Sequence, residues 1–125
     1  MLLENYLNKI QKDKHDKWIG FDLDGTIAFY SEYSDHKIGP PIASMIEELK
    51  SWVSNGYTVK IMTARASDQA NIPIIKEWLK ENGLPDLEIT NIKDPGMLIL
   101  YDDRAVQVQK NTGRLIGNPS LINMR

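Results

Sequence analysis

The chain has 125 residues, 42% of them hydrophobic and 26% charged, with a net charge of −2 and no cysteine. That length suits one compact domain with its own core. The missing cysteines exclude disulfides, a thiolate nucleophile and a zinc–thiolate site; the slight acidity argues against a dedicated nucleic-acid binder; no apolar run reaches the length of a membrane span.

Leu3, Tyr6, Leu7 and Ile10 recur at helical spacing, so residues 1–16 read as an amphipathic helix and a linker ahead of a core over 17–125. This stretch has neither a long apolar segment nor a small-residue cleavage site, and a cytoplasmic chain is expected. The cluster Lys12, Lys14, His15 and Lys17 suits a solvated linker or a contact to backbone phosphates. "WIGFDL" (18–23) reads as a buried strand. Residues 27–41 suggest an irregular loop, and Pro41 suits the first turn of a helix with Ile42, Met45, Ile46, Leu49 and Val53 inward and Gly56 as its stop. "YTVKIMT" (57–63) is the next strand. Asn71 is placed to cap a second helix that turns Ile75, Trp78 and Leu79 inward and ends at Gly83. A short strand near 87–90 and the apolar strand "MLILY" (97–101) follow. "AVQVQKNTGRLI" alternates around an Asn-Thr-Gly turn, as a strand or hairpin on the sheet edge would. The alternation of strands and helices predicts an α/β fold, a mostly parallel sheet with helices on both faces. In such sheets the site lies beyond the C-terminal strand ends.

Three polar clusters follow predicted strands: Asp22 and Asp24, Thr63 and Arg65, and Asp102 and Asp103. Lys93 lies in the loop before the last strand. Each has a plain structural reading. Asp24-Gly25 suits a hairpin turn, Thr63 a helix cap, Asp102-Asp103 a solvated turn, and Lys93 the surface. A parallel sheet would bring all of them to one edge, where crowded carboxylates raise one another's pKa and a hard divalent cation relieves the conflict. An all-oxygen set without histidine or cysteine suits Mg²⁺, above all where phosphate oxygens complete the shell. A carboxylate can attack phosphorus to form an acyl phosphate, and a second carboxyl two residues on can handle the leaving-group proton. The charge on the transferring group calls for a cation, a hydroxyl and N–H donors, roles that Lys93, Thr63 and the turn amides after Asp22 suit.

"FDLDGT" (21–26) resembles the first motif of the haloacid dehalogenase-like superfamily, Asp-x-Asp-Gly-Thr after an apolar strand. Thr63 after "VKIM", then Lys93, then "LILYDDRA" (98–105) resemble the other three motifs in order. The resemblance spans residues 17–105 and implies a Rossmann-like core. It also implies Asp22 as nucleophile and metal ligand, and Asp24 as general acid/base whose backbone carbonyl touches Mg²⁺. Thr63 and Lys93 would bind the phosphoryl group, and Asp102 and Asp103 would complete the metal site. Family dehalogenases differ at the position of Asp24, which points to phosphate chemistry. Lys93 sits closer to Asp102 than is usual for this family; Lys76 and Lys80 are alternatives on a helix surface. Neither usual cap insertion point holds enough chain for a cap domain, so the resemblance is to small capless members. An open site of that kind admits a phosphorylated small molecule or a macromolecular phosphate end, or is covered by a second subunit in a homo-oligomer. Arg65 and Arg104 are further candidates for phosphate contacts, or for pairing with neighbouring carboxylates; "DDRA" resembles the fourth motif of some nucleotide and polynucleotide phosphatases. Phe29, Tyr30, Tyr33 and His36 suit either stacking on a nucleobase or packing of their loop onto the domain. The expected activity is Mg²⁺-dependent phosphomonoester hydrolysis. The alternatives are a non-catalytic module that binds magnesium and phosphate, and a structural domain with a hairpin at Asp24-Gly25.

Overall fold

The computed structural model describes residues 3, 16–32 and 35–117. The helix expected over 3–10, apart from Leu3, lies outside the described residues, as do Lys12, Lys14, His15 and Tyr33. Four strands, β1 (Trp18–Phe21), β2 (Thr58–Met62), β3 (Glu88–Thr90) and β4 (Met97–Tyr101), form a wholly parallel sheet in the order β3-β2-β1-β4. Helix α1 (Ala43–Ser54) joins β1 to β2, and α2 (Asn71–Glu81) joins β2 to β3. The protein is therefore an α/β fold.

Ile19 and Phe21 face the same way as their register partners Val59 and Ile61, and all four are buried. They meet Ile46 and Leu49 of α1 and Ile75, Trp78 and Leu79 of α2 in a single core. Burying a side chain of this size contributes about 1.5–3 kcal/mol. Among the described residues, both of these helices thus lie on one face. Right-handed crossovers that step in one direction across a sheet leave their helices on the same side. Only residues 91–96 link β3 to β4, too few for a crossover helix. That loop serves the other face, where the Trp18 indole donates to Asp94 Oδ1 at 2.7 Å. The indole N–H, then the Gly96 amide, hold the Asp94 carboxyl below the ordinary range. Lys60 Nζ sits 4.7 Å from the Trp18 ring centroid and pairs with Glu88 at 2.9 Å.

Among the described residues β4 is an edge strand, with a register shift opposite Trp18–Ile19. Leu98 and Ile99 stay 50% and 43% exposed, so this strand is less buried than its apolar sequence suggests. Its C-terminal end is fixed to α1. Tyr101 stacks on Phe21 with ring centroids 4.3 Å apart, accepts the Trp52 indole N–H at 3.0 Å and donates to Glu48 at 2.8 Å. Trp52→Phe removes the hydrogen bond and is expected to cost about 1–2 kcal/mol, read from the urea midpoint.

Three local expectations change. Pro41 pairs with Ala28 as an isolated bridge, and the helix starts at Ala43. Asn71 does not cap α2; its side chain donates to the Arg65 carbonyl at 3.0 Å. The C-terminal hairpin, β5 (Gln107–Val108) and β6 (Leu115–Ile116), forms its own two-stranded sheet rather than extending the main one. No helix among the described residues is long and apolar enough to cross a membrane.

Candidate active site

Parallel pairing of β1 and β4 decides the geometry. The Asp22 amide, one residue past β1, donates to the Tyr101 carbonyl at 2.9 Å, and Asp102 is the residue after Tyr101. Two acidic residues eighty positions apart in the chain thereby emerge side by side. Pairing also excludes the hairpin reading of Asp24-Gly25, because β1 bonds only to parallel neighbours. Gly25, at φ 87°, instead turns the chain back under Asp24. The amides of Thr26, Ile27 and Ala28 all donate to the Leu23 carbonyl, and that of Gly25 to Ala28. These four amides close the turn and are committed within it.

One carboxylate oxygen from each of Asp22, Asp102 and Asp103 lies within 4.8 Å of the other two. Thr26, buried at 6% exposure, lies between Asp22 and Asp103. Its hydroxyl lies 3.5 Å from Asp22 Oδ2 and 3.3 Å from Asp103 Oδ1, and accepts the Asp103 amide at 3.1 Å. Asp102 Oδ1 accepts the Arg104 amide at 2.8 Å. Burial, then the charge of Asp102, then the Asp103 side chain raise the Asp22 pKa to about 7, against a smaller lowering effect of the Leu23 amide. Such a set fits a hard cation. Every donor is oxygen, and neighbouring ligands around octahedral Mg²⁺ sit about 3 Å apart, within reach of small carboxylate rotations.

A cleft of about 540 Å³ opens at these strand ends and is lined by Asp22, Asp24, Thr63, Arg65, Asp102 and Arg104, among others. Thr63, one residue past β2, is buried; its amide donates to Thr90 at 2.9 Å, and its hydroxyl accepts the Arg65 amide at 3.2 Å to cap a 3-10 turn over Ala64–Ser67. It is both a cap and part of the cleft wall. Asp24 does not add a carboxylate to the acidic group. Both of its oxygens are held by Arg65, at 2.7 Å through Nε and 3.0 Å through Nη2. Asp24 in turn keeps the guanidinium charged, its pKa raised first by this hydrogen bond.

Lys93 is exposed in the 91–96 loop and is not among the residues that line the cleft. Lys76 is engaged elsewhere, with Asp86 and the Leu87 carbonyl, both at 2.6 Å. Phe29 and Tyr30 are 58% and 42% exposed. Thr26 carried no assigned role in the sequence reading, although it closes the "DLDGT" motif; Asn91 and Ser67 also line the cleft and gave no signal in the sequence. No protein-family model, curated protein or solved structure matches this chain.

Proposed function

We propose that the chain is a magnesium-dependent phosphomonoester hydrolase with a haloacid dehalogenase-like core. The observation that carries this reading is the meeting of Asp22, Asp102 and Asp103 at the C-terminal edge of a parallel sheet, beside Asp24 and Thr63. The order of the strands and of the motifs along the chain supports it too. Asp22, Asp102 and Asp103 would hold Mg²⁺, as would the Asp24 backbone carbonyl by resemblance; the bound ion supplies positive charge that offsets the substrate phosphate.

The chain's own residues carry the steps. An Asp22 oxygen attacks phosphorus in line; the Asp22 O–P bond forms as the ester P–O bond breaks, and Asp24 gives the leaving oxygen its proton. Asp24 then takes a proton from water, which attacks the acyl phosphate, breaks the Asp22 O–P bond and releases inorganic phosphate. The Thr63 hydroxyl is available at the cleft wall for a phosphoryl oxygen. The open cleft admits a phosphorylated small molecule or the phosphate end of a larger one.

The expected result is phosphate release from at least one member of a panel of aryl phosphate, nucleotides, phosphorylated metabolites and phosphorylated oligonucleotide ends. Release should require Mg²⁺ and stop with EDTA. Failure of clean protein with Mg²⁺ to release phosphate from any of them contradicts the proposal.

A further inference from the structure

Arg65 stands between the catalytic turn and the 27–41 loop. Its backbone is held on both sides: the amide donates to Thr63 Oγ1 at 3.2 Å, and the carbonyl accepts Asn71 Nδ2 at 3.0 Å and the Asp68 amide at 3.2 Å. Its guanidinium has all three nitrogens engaged. Nε and Nη2 take the two oxygens of Asp24, forty-one residues away, and Nη1 donates to the His36 carbonyl at 2.7 Å. The Arg65 and Asp24 side chains are only 21% and 18% exposed. A planar fork bound to both oxygens fixes the plane of a carboxylate as well as its place, which a single donor does not.

The third contact comes from a strained backbone. Asp35 and His36 have φ of 57° and 62°, in the left-handed region that costs a side-chain-bearing residue free energy. The loop is also closed at its neck, where the Phe29 amide donates to the Pro40 carbonyl at 2.8 Å. A Cβ on Gly39 would run into the Phe29 carbonyl, so the neck is tight. The loop thus presents the His36 carbonyl to the guanidinium that orients Asp24.

We infer that Arg65 is a positioning residue for the acid/base Asp24, set by the His36 carbonyl, and that its guanidinium does not serve primarily as a phosphate ligand. This inference rests on the phosphatase reading, and it reassigns Arg65 from the phosphate-binding role the sequence suggested. In the first step, orientation of Asp24 matters where the leaving oxygen needs a proton and matters little where it departs as a stable anion, whereas the second step needs Asp24 as base for either substrate; kcat/KM, which reports the first step, separates the two.

The test compares nitrophenyl phosphate, whose leaving group needs no proton, with an alkyl phosphate, whose leaving group does, using the full chain and Mg²⁺. In Arg65→Ala the ratio of kcat/KM on nitrophenyl phosphate to kcat/KM on alkyl phosphate is expected to rise on the order of 100-fold. Asp24→Ala should give the same direction of change, and adding Arg65→Ala to it should cause little further loss, because the two act as one unit. Arg65→Lys keeps the charge without the fork and should give an intermediate ratio even if the alanine variant folds poorly. An increase in KM for both substrates at an unchanged ratio, or a loss that adds fully to that of Asp24→Ala, overturns the inference and makes Arg65 a phosphate ligand. Wild-type protein inactive on both substrates and across the wider panel overturns the phosphatase reading itself.

Discussion

Asp22→Asn is expected to lower phosphate release by on the order of 10⁴-fold or more, with melting behaviour that shows an intact fold. Losses of that size follow removal of a covalent nucleophile, because the remaining groups supply only binding and electrostatic stabilisation. The substitution keeps the shape of the side chain at the end of β1 and leaves the amide contact to Tyr101 in place. It removes the anionic oxygen that would bond to phosphorus. Full activity in a well-folded Asp22→Asn protein would show that a different atom attacks. A rapid-quench experiment adds a second reading of the same variant: wild type should carry acid-stable label from a ³²P-phosphoester on the protein, and Asp22→Asn none.

The second expectation concerns stability without metal. The folded chain holds the Asp22 carboxyl at about 7, against an ordinary value of 3.8, with burial as the first cause and the charge of Asp102 as the next. A raised carboxyl pKa means that the folded state binds this proton more tightly than the unfolded state does. Stability linked to Asp22 is therefore greatest below the ordinary carboxylate value and is lost as pH rises from about 4 through about 7. The full difference would correspond to about 4 kcal/mol, but solvent reaches this side chain and screening leaves about 1–2 kcal/mol. In EDTA the wild type should lose stability between pH 5 and pH 8 relative to Asp22→Asn, whose side chain does not titrate. At pH 8 the asparagine variant should be the more stable of the two. Mg²⁺ should restore the wild type at pH 8 and help Asp22→Asn much less. Parallel pH profiles for the two metal-free proteins, read by urea denaturation, would show that Asp22 is not under this strain.

Much of the fold was legible because the sequence pattern and the local chemistry agreed. β1, β2 and β4 are apolar runs that stop at Asp22, Thr63 and Asp102, and the apolar stripes of α1 and α2 match the residues they bury. The hairpin could be read from "NTG", where Asn111 and Gly113 take positive φ. Periodicity does not report which neighbour a strand will have. The apolar run "MLILY" therefore gave no sign of its place at the edge of the described sheet, where Leu98 and Ile99 are half exposed. Nor did the strand and helix order reveal that α1 and α2 share a face; that follows from the spatial order β3-β2-β1, in which both crossovers step the same way.

The acidic cluster was legible for a different reason. A parallel sheet sends the C-terminal ends of all its strands to one edge, so residues that follow strands converge whatever their separation in the chain. What could not be read was how side chains at that edge divide their contacts. The sequence offered Arg65 either phosphate or a carboxylate, and only the fold shows its fork closed on Asp24. The reach of Lys93 depends on the path of a short loop, which no local pattern encodes. Thr26 shows the opposite case: it was visible inside the motif, but its bond to the Asp103 amide exists only once β4 lies beside β1.

The most direct measurement is the anomalous difference map of crystals grown with Mn²⁺ in place of Mg²⁺, recorded near the manganese edge. The expected map has one strong peak bonded to oxygens of both Asp22 and Asp102, with Asp103 in or beside the shell. A strong peak elsewhere on the protein, or a peak that touches Asp22 or Asp102 but not both, would contradict a shared metal site and the phosphoryl chemistry built on it.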